Sequence, residues 1–239
     1  MHRVYVPGAR PPSVVVTGGD AHHMTRVLRL SAGDGVAVFD GQGREWSGRL
    51  GSTARSGVTI DLTGERTPAA EPPVHLTLGI AVLKGPQLDH VVREATALGA
   101  SAIAPFVSTH VAVSERAWKH RSVDRWRRVA EASASQCGRA VVPEIRGVSA
   151  FDALVASTND DAIVVCAEPA AGPAQPVTSL PRPPRALLLI GPEGGWAADE
   201  LQRVRSAGAA FVSLGPRTLR AETAPTVALA ALWTHWGWA

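Results

Sequence analysis

The sequence predicts an α/β protein in which a mainly parallel sheet follows a small N-terminal β-barrel. Three observations lead there. Short strand patterns separated by glycine turns fill the chain up to about residue 70, a proline-rich break spans residues 66–73, and apolar strands alternate with amphipathic helices from residue 76 onward. The 239 residues are enough to bury one large core or two small ones, and 45% hydrophobic against 19% charged residues excludes a disordered chain.

In the first part the expected strands are Val14–Thr17, Val36–Asp40, Trp46–Leu50 and Val58–Leu62, with Asp40-Gly41-Gln42-Gly43 as a turn between two of them. Their spacing predicts a small antiparallel barrel. A helical insertion over Asp20–Arg29 places Met24, Val27 and Leu28 on one stripe, with Arg26 and Arg29 off it. The paired His22 and His23 before these arginines have no cysteine or carboxylate at ligand spacing, so a structural role is expected and no metal site. Arg66–Pro73, with three prolines, continues neither strand nor helix and reads as a linker, giving domains of 1–70 and 74–239.

The second part reads as strand Leu76–Leu83, helix Gln87–Leu98 stopped by Gly99, strand Ala102–Val107 and a long helix from about Val123 to Gln136. Strands Ala162–Ala167 and Ala186–Ile190 follow, then helix Ala198–Ser206 before Gly208, strand Ala210–Leu214 and helix Glu222–Trp236. Buried strands alternating with helices imply a mainly parallel sheet. Small residues on the last helix (Ala228, Ala230, Ala231) permit close helix approach, and Trp233, Trp236 and Trp238 are expected as core or dimer contacts.

The N-terminus has no apolar core of a signal peptide, and no apolar run approaches the roughly 20 residues that span a bilayer. Cys137 and Cys166 form no CxxC pair, which argues against a zinc site or a disulfide framework. A soluble cytoplasmic protein is expected. The net charge of +3 is unevenly spread. Between Glu115 and Arg146, eight basic residues (Arg116, Lys119, Arg121, Arg125, Arg127, Arg128, Arg139 and Arg146) meet four acids (Glu115, Asp124, Glu131 and Glu144). Arginine suits phosphate because its planar fork donates two parallel hydrogen bonds, although a solvated helix face has the same composition.

Ligands of parallel sheets bind at the carboxyl ends of strands, which directs attention to two loops. Ile190 runs into Gly191-Pro192-Glu193-Gly194-Gly195-Trp196, whose glycines fit either a tight turn or a backbone close to a ligand. It lacks the spacing of dinucleotide and P-loop motifs, and so does Leu83-Lys84-Gly85-Pro86, which counts against a dehydrogenase. Leu214–Pro225 reads LGPRTLRAETAP; Glu222 or Thr223 can cap the following helix, with Pro225 in its first turn. Capping leaves Arg217 and Arg220 unexplained, because cations are disfavoured before a helix N-terminus.

Together GPEGG at 191–195, LGPRTLRAETA at 214–224, Lys84-Gly85 with Ala95-Thr96-Ala97-Leu98-Gly99, Gln136-Cys137-Gly138-Arg139 and His22-His23 with Arg26-Val27-Leu28-Arg29 resemble, in order, the RsmE family. These are 16S ribosomal RNA uridine-N3 methyltransferases of the SPOUT superfamily. The resemblance covers nearly the whole chain and departs at Cys137 (usually Ser), Ala221 (usually Thr), Pro225 (usually Ala) and Arg93 (often uncharged). It implies a PUA-like N-terminal barrel that binds RNA, a C-terminal SPOUT domain with a trefoil knot, a homodimer, and S-adenosylmethionine held in the knot. The implied cofactor site is Leu189, Ile190, Gly191, Pro192, Glu193, Gly194, Gly195, Leu214, Gly215, Leu219, Arg220, Thr223 and Ala224. Uridine N3 must lose a proton, so Arg220 is the expected electrostatic stabiliser, with Glu222 orienting it or accepting the proton. RNA docking falls to Arg26, Arg29, Arg128 and Arg139, and the implied substrate is 16S rRNA of the small subunit. The competing readings are another SPOUT-type RNA methyltransferase acting on a ribose hydroxyl or another base, and a non-catalytic RNA-binding homologue.

Overall fold

A computed structural model describes residues 1–54, 56–111, 122–158, 162–168 and 172–238. The chain divides into two compact units, Met1–Glu71 with Glu131–Val142, and Pro72–Ala130 with Pro143–Ala239. A single boundary at the proline-rich segment therefore does not describe the division, because Glu131–Val142 groups with the N-terminal unit.

The first unit holds β1 (His2–Tyr5), β2 (Ser13–Val16), β3 (Gly35–Phe39), β4 (Glu45–Ala54) and β5 (Gly57–Arg66) in one sheet of order β1-β3-β4-β5-β2. Three pairings are antiparallel as expected, but β1, which has no sequence alternation to announce it, pairs parallel with β3. Val14 and Val16 point inward and Val15 outward, joining Val36, Val38, Trp46 and Ile60 in the core of this unit. The register of β4 slips between Ser47 and Gly48, and a Cβ at Gly48 would come within 2.6 Å of Ile60. A bulge and a close approach at one residue bend the strand and curl the sheet.

The expected insertion forms α1 (Gly18–His22) followed by a π-helical turn, His23–Val27. Leu28 N–H bonds to His23 O at 2.9 Å, an i→i+5 bond that widens the turn and shifts its phase. Met24 is fully buried, but Val27 and Leu28 are 61% and 39% exposed, so the expected apolar stripe delivers only one residue to the core.

Glu131–Val142 joins this unit through the end of α3 (Ser122–Cys137) and the segment behind it. Arg3 donates to Ala134 O at 3.0 Å and to Glu45 at 2.6 Å, and its guanidinium covers the Phe39 ring. Glu45, itself buried, also pairs with Arg66 at 2.9 Å. Phe39, Ala134 and Ala140 form a small apolar cluster beside this network.

The second unit is built on an all-parallel set of pairings among β6 (His75–Ala81), β7 (Ala102–Val107), β8 (Glu144–Ile145), β9 (Ser149–Ala150), β10 (Ala162–Cys166), β11 (Gln175–Pro176), β12 (Arg185–Ile190) and β13 (Ala210–Ser213). The order is β11-β13-β10-β12-β6-β7-β8, with β9 on β7. Three of these strands, β8, β9 and β11, are only two residues long and too short to leave a sequence pattern. The helices are α2 (Gln87–Ala97), the start of α3, α4 (Phe151–Ala156), α5 (Ala198–Ser206) and α6 (Ala224–Trp236).

Central β12 has Ala186–Leu189 fully buried, the continuous apolar run of a strand covered on both faces. On α6, Trp233 and Trp236 are buried against this chain's own residues, and Trp233 donates its indole N–H to Leu98 O. No helix among the described residues is long and apolar enough to cross a membrane.

Gly79 on β6 shows how closely the layers pack, since a Cβ there would lie 2.7 Å from Leu189 and 3.0 Å from Leu154 of α4. Gly79→Val is expected to lower the unfolding free energy by about 1–3 kcal/mol through overpacking, read from urea denaturation. An unchanged midpoint would mean that α4 can move away from the sheet at no cost.

Candidate functional site

Parallel alignment brings the carboxyl ends of β10, β12 and β13 to one end of the sheet, and their loops enclose a cavity of about 480 Å³. Its walls are Cys166–Glu168 after β10, Ile190–Glu193 with Gly195 and Trp196 after β12, and residues of 214–224 after β13, with Gln87 from the start of α2.

The first wall is fixed from below by Trp196. Its Nε1–H donates to Cys166 O at 3.2 Å, and its ring stacks on Phe106 with an interplanar angle of 13°. A Cβ on Gly191 would meet this indole at 2.8 Å, so glycine is required there by close approach rather than by a turn. Gly195 does adopt a left-handed φ of 74°, with Glu168 Oε1 only 2.7 Å from where its Cβ would be.

Glu200 secures the loop's exit into α5. It is buried, and it accepts Ala197 N–H at 3.0 Å, Ser108 Oγ–H at 3.0 Å and Thr109 N–H at 2.9 Å. One carboxylate therefore joins the loop after β7 to the first turn of a helix, where negative charge is favoured. On the outer side Glu193 Oε1 accepts Lys84 N–H at 3.2 Å, and the Nδ1–H tautomer of His110 donates to Gly195 O at 3.2 Å.

The second wall turns at Gly215, φ 116°, and its last turn is closed by Thr223 N–H and Ala224 N–H on Arg220 O at 2.9 and 3.0 Å. Thr223 stands at the N-cap of α6, but its side chain makes no capping bond, and Pro225 lies in the first turn. The expected capping role of Thr223 or Glu222 is corrected accordingly. Arg220 is 86% exposed and Glu222 mostly covered, with Nη1 and Oε1 3.8 Å apart at the cavity wall. At that separation the two charges interact without a formed hydrogen bond, so Arg220 keeps its donors for a ligand.

Most of the expected cofactor residues line the cavity: Ile190, Gly191, Pro192, Glu193, Gly195, Leu214, Gly215, Leu219, Arg220 and Ala224, together with Glu222. Leu189, Gly194 and Thr223 do not. Leu189 is fully buried in the apolar core, Gly194 faces His110, and Thr223 is exposed. Gln87, Cys166 and Glu168 line the cavity without having been foreseen, although the strand-end rule, extended to the strand ending near Ala167, reaches the last two. Gln87 Oε1 is buried without a hydrogen-bond partner. Burial pushes the Cys166 thiol up to about 12, so it is an inert apolar wall at neutral pH.

The expected RNA contacts divide. Arg26 and Arg29 are exposed on the first unit, Arg29 with a left-handed φ of 55°. Arg128 is exposed, its Nε–H on Asp124 O at 3.2 Å. Arg139 is only 5% exposed and grips Glu71 with Nε at 2.9 Å, which removes it from the RNA contacts: a guanidinium already paired and buried offers no face to phosphate. Other cations of that segment are paired as well, Arg125 with Asp89, Arg127 with Asp124 and Arg146 with Glu144. Glu115, Arg116, Lys119 and Arg121 lie outside the described residues. No cluster of histidine, cysteine or carboxylate suited to a metal occurs among the described residues.

Residues 70–233 match the family model of the RNA methyltransferase domain, and residues 16–63 that of the RNA methyltransferase PUA domain. Ribosomal RNA small subunit methyltransferase E of Bacillus subtilis is 32% identical over 92% of this chain and 90% of its own length. The protein of the same name from Synechocystis is 33% identical over 92% of this chain and 72% of its own. Among solved structures, ribosomal RNA small subunit methyltransferase E from Neisseria gonorrhoeae, bound to S-adenosylmethionine, superposes with a TM-score of 0.89 at 27% identity, covering 99% of this chain and 98% of that one. A methyltransferase structure from Legionella pneumophila, also with bound cofactor, gives 0.89 at 26% identity over 97% and 96% of the two chains.

Arg139→Ala is expected to cost roughly 1–3 kcal/mol of stability, less than a fully buried pair because Glu71 keeps about a third of its side chain in water. A thermal or urea midpoint equal to that of the parent would return Arg139 to the candidates for surface contact.

Proposed function

Since the chain belongs to the ribosomal RNA small subunit methyltransferase E family, we propose that it transfers a methyl group from S-adenosylmethionine to N3 of a uridine in 16S rRNA. The observation that carries this reading is the convergence of two glycine loops and the Arg220–Glu222 pair on one cavity at the ends of three parallel strands.

The residues fit the cofactor. The cavity volume falls within the range of roughly 300–1,000 Å³ typical of small-molecule sites. Gly191 and Gly215 leave backbone groups accessible to an adenine edge, and Leu214 and Leu219 offer apolar cover. The orphaned Gln87 Oε1 requires a donor, and a buried acceptor left unpaired costs about 1–3 kcal/mol. S-adenosylmethionine, when bound, supplies an electrophilic methyl group. The chain's own part is to exclude water, align the base and manage its N3 proton. Arg220 stabilises negative charge developing on a uracil oxygen as that proton leaves. Glu222, beside Arg220 and largely covered, orients the guanidinium or receives the proton.

In this reading the first unit is the PUA-like RNA-binding domain, with Arg26 and Arg29 on phosphate, and Arg128 serves the same purpose in the second. Phosphate contacts position the substrate without reading its sequence. The insertion of β12 between β6 and β10 is consistent with a trefoil knot around the cofactor loops. A homodimer would use the open side of α6, where Val227 and Ala230 are exposed. Light scattering is expected to give twice the chain mass at micromolar concentration, and a monomer there would remove the dimer.

The substrate reading is tested with labelled S-adenosylmethionine and small subunits, or naked 16S rRNA, lacking the modification. Label is expected in 3-methyluridine on nucleoside analysis. Arg220→Ala should lower turnover by about 10²–10³-fold at saturating cofactor. Full turnover in that variant would withdraw its role, whereas label in a ribose methyl group would replace the N3 assignment.

A further inference from the structure

Three carboxylates line the cavity, and two of them are engaged. Glu193 accepts the Lys84 amide at 3.2 Å, and Glu222 faces Arg220 at 3.8 Å. Glu168 forms neither a hydrogen bond nor an ion pair among the described residues. It is partly covered, and its carboxylate is seated against the glycine loop, where Oε1 would lie 2.7 Å from a Cβ on Gly195. Any side chain at Gly195 would displace it.

The sheet order fixes where this charge stands. β10 lies between β13 and β12, so Glu168, two residues beyond the end of β10, emerges between the two loops that form the opposite walls. A carboxylate between the two loop walls of a cavity, without a cationic partner among the described residues, favours a ligand that is positively charged where it passes between those walls. S-adenosylmethionine is such a ligand: its sulfonium joins the adenosine to the amino-acid portion. We infer that Glu168 provides the counter-charge for that sulfonium, and that this residue sets the preference of the site for the charged cofactor over its neutral thioether product. The inference rests on the cofactor reading above.

The α-ammonium and α-carboxylate are present in both S-adenosylmethionine and S-adenosylhomocysteine, so they cancel in a comparison of the two. What differs besides the methyl group is the sulfonium charge. Facing the thioether, Glu168 loses its partner while remaining partly desolvated, which weakens the product complex and favours release. Arg217 and Arg220 do not substitute, because they approach from the second wall and Arg220 is largely in solvent.

Isothermal titration calorimetry of the full chain with S-adenosylmethionine, S-adenosylhomocysteine and sinefungin, which carries an ammonium group in place of the methylsulfonium, tests the inference without any methyl transfer. The parent is expected to bind both cationic ligands about five- to tenfold more tightly than the thioether. Glu168→Gln, which preserves shape and removes charge, should bring that ratio close to one by weakening the two cations. Retained binding of S-adenosylhomocysteine in the variant reports that the site is folded. Equal affinities in the parent, a ratio unchanged in Glu168→Gln, or an equal loss of all three ligands would each overturn the inference. Failure of the parent to bind any of the three would instead overturn the cofactor reading on which it stands.

Discussion

Trp196 lies with its indole against Gly191, its Nε1–H on the carbonyl of Cys166 and its face on Phe106. These contacts tie the loop after β12 to the end of β10 and to the core beneath both. The three atoms nearest to where a Cβ of Gly191 would stand all belong to this ring, so the indole is what requires glycine there. The arrangement needs β10 and β12 to end side by side, and their parallel register supplies this, with Cys166 opposite Ile190. Glu200 then fixes the far end of the same loop. The site is preorganised from below by an aromatic stack and a buried carboxylate, which leaves the upper residues free to meet a ligand.

Charge is used differently in the two units. In the first, Arg3, Arg66 and Arg139 are spent on Glu45 and Glu71, two acids that they hold within the unit. Such pairs add less to stability than their geometry suggests, because both partners give up water. They also bear on position: Arg3, Arg139 and the Phe39 cluster all meet Glu131–Val142 or its partners in the placement observed. In the second unit the cavity keeps Glu168 without a partner among the described residues and Arg220 largely exposed, which distinguishes a site from a scaffold.

Much of the fold was legible because its elements are long and strongly patterned. Ala102–Val107 and Ala198–Ser206 have the limits expected of them, and Gly99 and Gly208 follow helices with left-handed φ values of 81° and 78°. Strands of two residues and the parallel β1 were not legible, since neither carries a period. The π turn misled the stripe reading, because Val27 and Leu28 have the spacing of an α-helix that the chain does not form there. The two loops of the site could be located by the strand-end rule, whereas their chemistry came from motif resemblance. Composition counts the charges of the basic segment and does not show which of them are already paired. Arg139 is the clearest instance: its partner Glu71 lies 68 positions away, beyond the reach of any local pattern.

Grouping Glu131–Val142 with Met1–Glu71 also bears on how the chain comes to be folded. During vectorial synthesis the curled sheet is complete by Arg66, yet Arg3 must wait for the carbonyl of Ala134 and Glu71 for Arg139. Until then an arginine and a glutamate destined for pairing stay hydrated, and one side of Phe39 stays open. The N-terminal unit therefore matures only after Pro72–Ala130 of its companion has been made. A fragment cut at the proline-rich segment would reproduce the strands of this unit while lacking the latch that closes it.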